Sequence, residues 1–308
     1  MDFLTLAGAF GGGLIGAYMG ALPAFIMTGL FALVGGLLQA AGVTGDIALL
    51  GVAFNSFIGP HTAFAGGVAA AAYAGRKKEL ASGADILSSL NGLGSPDVLL
   101  VGGLFGLAGG VIKALLAMIP VFGAITDLPG TTVFILALVC RFGFGNSGLL
   151  GSYPNGGHEW FSGGKGFGCN VMLGLGLGLA ISTMAAYFFT TGNDVALGMW
   201  PFVCFGFSAV TLIFTQTGFA TPATHHISLI GAYASVVGVT AWGPTAGVLF
   251  GTLFAVIASL VGDFVGKSFN TNVDSHIDPP ATTIWILACI VHLVAMGLGA
   301  APGAIIIG

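Results

Sequence analysis

Asp127-Leu-Pro129-Gly-Thr131-Thr132-Val-Phe-Ile-Leu-Ala137 returns later in the chain as Asp278-Pro-Pro280-Ala-Thr282-Thr283-Ile-Trp-Ile-Leu-Ala288, with seven of eleven positions identical. Self-similarity at this distance marks an internal duplication. Each copy puts an acidic residue, then proline, then two threonines ahead of an apolar run, which is the chemistry of a helix start. Upstream, Leu104-Phe105-Gly106 matches Leu249-Phe250-Gly251, and Pro60-His61-Thr62 matches Pro222-Ala223-Thr224, in the same order. The chain therefore reads as two related halves: 1–145 with a polar loop at 76–96, an inter-repeat loop at 146–168, and 169–308.

The material between these landmarks is apolar. Of 308 residues 56% are hydrophobic and only 6% charged, and the mean hydropathy is +1.02. A soluble domain carries roughly 25% charged residues to solvate its surface, so this surface is built to face lipid. Walking between polar interruptions gives ten apolar segments, at 3–21, 22–42, 46–75, 97–119, 129–145, 169–189, 195–216, 218–239, 244–266 and 280–300, each near the length a bilayer requires. The first begins apolar at once behind Asp2, with no basic stretch before it, and so reads as a retained span. The third is too long for one straight helix and should break at Gly59-Pro60. Gly8, Gly12, Gly16 and Gly20, and again Gly174 and Gly178, recur every four residues, as expected of faces where helices cross closely or where copies of the chain assemble into a homo-oligomer.

Lysine and arginine orient the halves, since cytoplasmic loops are enriched in them. Arg76, Lys77, Lys78, Arg141, Lys165 and Lys267 all fall on one side of a ten-segment model, which puts loops 76–96, 146–168 and 267–279 in the cytoplasm. Equivalent pieces of the two halves then face opposite sides. The expected fold is an all-α, multi-pass protein of the cell membrane, built from two inverted five-segment repeats with proline-broken helices. Its architecture is similar to that of the urea-transporter type of permease and other inverted-repeat carriers, a likeness that implies a fold and no particular solute.

Broken helices in such folds aim their termini at a midplane binding site. The expected site residues are Asn55, Pro60, His61 and Thr62 from the first half and Thr221, Pro222, Thr224, His225 and His226 from the second, meeting near mid-membrane. Lys113 joins them because a charge inside a span is costly unless it has a use, although lysine near a helix end also snorkels. His292 stands at the repeat position of Arg141, and Asp263 and Lys267 have the spacing of an i,i+4 pair. Two helix N-termini and three histidines, with no acid inside either proline motif, should favour a small anion or a neutral polar solute. Anion binding would strengthen between about pH 7 and 5.5 if the histidines touch it, and valine at Thr62 and Thr224 would weaken binding without harming the fold.

The four cysteines have no metal or disulfide spacing and read as reduced packing residues. No phosphate-binding loop, zinc motif or nucleophile elbow occurs, so no enzyme activity and no cofactor is expected. A net charge of −4 spread over short loops offers nothing to nucleic acid. The partners implied are a lipid bilayer and a small-molecule or ion substrate. Three functions fit: a gated secondary transporter, a passive channel for a small neutral solute or anion, and the membrane subunit of a larger complex.

Overall fold

A computed structural model describes residues 2–43, 49–153 and 156–307. The start of the expected third segment and Pro154 of the inter-repeat loop lie outside the described residues. Among those described, the chain is all-helical and has no strand. In the first half, α1 is Phe3–Met19, α2 Ala21–Ala40, α3 Leu49–Phe54, α4 Ala65–Arg76, α5 Pro96–Ala117, α6 Phe122–Ile125 and α7 Leu128–Gly143. In the second, α8 is Lys165–Thr190, α9 Asp194–Val210, α10 Leu212–Gln216, α11 His225–Trp242, α12 Pro244–Phe269 and α13 Pro279–Gly297.

Among the described residues six helices are long and apolar enough to cross a membrane: α2, α5, α8, α9 with α10, α12 and α13. The shorter α1 and α7 are also apolar. Leu104 of α5 and Leu249 of α12, equivalent in the repeat, are both at least half exposed, as are Phe3, Met172 and Phe207. A surface of large apolar side chains suits a helical membrane protein. Two expected segments differ in detail. The third is broken as Gly59-Pro60 predicted, into α3 and a π-helical turn Pro60–Phe64 that runs straight into α4. The eighth starts at His225, because residues 217–224, with Gly218 and Pro222, leave the helical path.

The glycine ladders pack inside the chain. A Cβ on Gly16 would fall 1.7 Å from the carbonyl oxygen of Ala63, and one on Gly13 would fall 2.1 Å from that of Gly102. In the second half Gly178 meets the Cα of Thr252 at 2.8 Å by the same construction. So α1 crosses α5 and the π turn, and α8 crosses α12, at backbone contact. The faces offered by sequence for self-assembly are therefore covered by the chain's own helices.

The basic loops knit together at one end of the molecule. Arg141 is 1% exposed and donates to the carbonyls of Gly148, Leu149, Phe269 and Ser275 and to the Ser275 hydroxyl. Arg76 reaches the carbonyl of Gly143, and Asp274 accepts from the backbone of Asn146 and Ser147. Asp263 accepts from Ser162 rather than pairing with Lys267. Lys267 instead holds Glu159 at 2.8 Å and keeps that carboxyl below the usual carboxylate range. The opposite end is closed by α6 and the tail, where Gly303 packs on Ala124 and Ile307 N–H donates to Thr240.

Candidate functional site

The duplicated passages open α7 and α13, and the copies are built alike. Asp127 caps α7 by accepting from Gly130 N–H at 2.6 Å, and Asp278 caps α13 by accepting from Ala281 N–H at 2.7 Å. Thr131, Thr132, Thr282 and Thr283 all donate to the carbonyl four residues back, so these hydroxyls serve their own helices. The two helix starts also meet each other. A Cβ on Gly130 would lie 2.9 Å from the carbonyl of Ala281, and the rings of Phe134 and Trp285 stack with centroids 4.9 Å apart.

Two cavities flank this crossing. The first, of about 350 Å³, lies toward the end that carries α6 and the tail, with Ala124 and Gly303 in its wall, and is lined by Pro60, Lys113, Asp127, Tyr233 and His292 among others. The second, of about 290 Å³, lies toward the basic loops, and is lined by Leu87, Thr221, Pro222, His226, Asp263 and His276 among others. They share four residues: Phe25, Phe64, His225 and Asp278. Between them the ring of Phe25 lies 5.7 Å from Phe64, 5.7 Å from Phe205 and 4.6 Å from the His225 imidazole, centroid to centroid. These are contact distances for aromatic rings. The ring cluster stands between the two cavities, with Phe25, Phe64 and His225 in the walls of both.

The expected site residues separate into three groups. His225 sits in this ring cluster and touches both cavities, and among the described residues its Nδ1 has no partner. Pro60 and Lys113 line only the first cavity, and Thr221, Pro222 and His226 only the second. Asn55, His61, Thr62 and Thr224 line neither cavity. Pro60 and Pro222 thus border different cavities, and His225 of the second motif meets both.

Several of these groups satisfy the broken backbone. Lys113 Nζ donates to the carbonyl of Phe54 at 2.6 Å, Thr28 to that of Ile58 at 2.6 Å, and Thr62 to those of Gly59 and Ser56 at 2.9 and 3.1 Å. Away from water an unpaired carbonyl is expensive, so a broken span needs such donors. Lys113 keeps two more N–H donors on a cavity wall. The Thr62 hydroxyl belongs to the fold: valine there would remove the side-chain donor to the Ser56 carbonyl, while the Gly59 carbonyl would keep the backbone N–H groups of Thr62 and Ala63.

Reading the motifs alone missed Asp278, His276 and the ring cluster of Phe25, Phe64 and Phe205. The repeat did flag Asp127 and Asp278, but as helix caps. Their second property, facing a cavity, brings carboxylates where the proline motifs had none. His276 Nε2 lies 3.1 Å from Asp278 Oδ1.

The family described as one of unknown function, DUF7973, matches residues 1–160 and 171–306. No curated protein and no solved structure matches the chain.

Proposed function

We propose that the chain, which belongs to the family of unknown function DUF7973, is a multi-pass permease of the cell membrane that moves a small solute between its two cavities through the Phe25–Phe64–Phe205–His225 constriction. One observation carries this reading: the two cavities lie toward opposite ends of the molecule, one beside α6 and the tail and one beside the basic loops, and share Phe25, Phe64, His225 and Asp278. Contact between equivalent residues, Gly130 with Ala281 and Phe134 with Trp285, supports a two-fold axis between the halves. In an inverted repeat that axis lies in the membrane plane, so the starts of α7 and α13 meet at mid-depth, and ten segments cross the bilayer, two of them broken. Rings in contact favour a gated carrier over a standing channel.

The charge on the cavity walls revises the solute class. The first cavity carries Asp127 and Asp278 against Lys113, and the second Asp263 and Asp278 with no lysine or arginine. Each capping carboxylate offsets the positive end of its helix. A neutral polar or positively charged solute suits such walls, and an anion does not.

Purified protein in sealed liposomes tests this with glycerol, methylammonium and acetate as probes. Glycerol or methylammonium should cross faster than in protein-free liposomes, and Phe25→Ala should change that rate severalfold. Acetate as the favoured probe, or a rate indifferent to Phe25→Ala, would refute the assignment of solute or of path.

A further inference from the structure

The loop that leads into α13 carries a hydrogen-bonded chain whose proton positions can be read. Asn270 Oδ1 accepts from Ile277 N–H at 3.3 Å, which fixes the amide so that its Nδ2 donates, at 3.1 Å, to His276 Nδ1. With Nδ1 an acceptor, the neutral imidazole holds its proton on Nε2. That proton is directed at Asp278 Oδ1, 3.1 Å away, while Oδ2 of the same carboxylate accepts from Ala281 N–H. His276 is only 6% exposed and lines the second cavity, which the basic loops make the inner one, the first being the outer, and Asp278 lines both. The repeat partner of His276 is Ile125, so the pair exists in one half alone.

We propose that His276 and Asp278 form a proton-binding site that couples solute movement to a proton gradient, a proposal that rests on the permease reading. A proton delivered by hydronium in the inner cavity forms an N–H bond at Nδ1 and leaves water behind. The imidazolium so made is balanced by Asp278. As the solute crosses, the Nε2 proton passes to Oδ1 and from Asp278 to water of the outer cavity, so one proton enters and one leaves; loss of the Nδ1 proton to water and uptake of one at Nε2 then restore the starting tautomer and the Asn270 bond. Uptake at Nδ1 also sets two N–H donors against each other, which breaks the Asn270 bond. Asn270 then turns, and the hold on Ile277, next to Asp278, is lost.

Other ionisable groups around the pair are few. His225 and His226 start α11, Asp263 lies on α12 in the same cavity, and Lys113, Asp127, Tyr233 and His292 line the far cavity. Arg141 holds Ser275, one residue from His276, with its charge turned to carbonyls.

A pH jump alone tests the site, because the proton is its own probe and no solute is needed. Full-length protein in liposomes on a solid-supported membrane should give a transient charge displacement when the pH falls from about 8 to about 6. His276→Gln and Asp278→Asn should each reduce it about tenfold. Solid-state NMR of the unmodified protein with ¹⁵N-histidine needs no variant. It should give one imidazole as the Nε2–H form at high pH, and that ring should gain an Nδ1 proton on acidification. Equal transients in all three proteins, or no such conversion, overturns the proposal. Liposomes that carry solute while the pH jump gives nothing would leave the permease reading standing and remove only the coupling.

Discussion

At the scale of single residues, the membrane setting decides what a polar group is for. Arg141 would be read from sequence as a marker of the cytoplasmic edge, yet it is buried with every N–H cluster turned to an oxygen of the adjoining loops. It joins the end of α7 to the entrance of α13. Replacing it with methionine keeps the volume and strands five acceptors, and hydrogen bonds to a charged group contribute about 1.5–3 kcal/mol each, with strong non-additivity. Arg141→Met should lower the midpoint of thermal unfolding in detergent by several degrees. Arg141→Lys should recover little, because an ammonium lacks the planar fork. A methionine variant as stable as the parent would mean that the latch contributes nothing.

At the scale of elements, close crossing and deliberate breaks do the positioning. The glycine ladders predicted which faces would meet, and the Gly59-Pro60 break was legible because proline leaves few alternatives. What escaped was the partner of each break. Sequence placed the two proline motifs at one site because they are equivalent. Under a two-fold axis only residues on that axis meet their equivalents, and all others are carried to opposite sides. Gly130 meets Ala281 and Phe134 meets Trp285, as residues at such an axis would; Pro60 and Pro222 line different cavities. The packing claim can be tested on α1, where Gly11 has nothing within 4 Å of a built Cβ and Gly16 has a backbone carbonyl at 1.7 Å. Gly11→Ala should leave expression and monodispersity unchanged, whereas Gly16→Ala should sharply reduce both, since the neighbour is backbone and cannot turn aside. Equal behaviour of the two variants would show that α1 does not pack against the π turn.

At the scale of the whole molecule, the duplication gave the division into halves, and the lysine and arginine count gave a common side for three loops. The structure brings those loops together, through Arg76, Arg141, Asp274 and Lys267. The constriction was not legible, because Phe25, Phe64 and Phe205 sit in apolar runs where nothing distinguishes a gate ring from a core ring. Orientation follows from the charge bias, and it makes a prediction about both ends. Lys165 starts α8 among the basic loops, and its 26 residues, at about 1.5 Å each, carry the chain about 39 Å to the far end, where exposed Asp194 opens α9. Exposed Ser82 lies in the loop after Arg76. Cysteines placed singly at these two positions, with the exposed Cys169 replaced by serine and the buried Cys140 and Cys204 kept, therefore stand on opposite sides of the bilayer. In intact cells an impermeant thiol reagent should modify Asp194→Cys rapidly and Ser82→Cys only after the membrane is opened. The reverse pattern would invert the orientation and with it the naming of the cavities as inner and outer, while leaving the halves and the constriction in place. Equal labelling at both positions would put them on one side, and α8 would then not be a span at all.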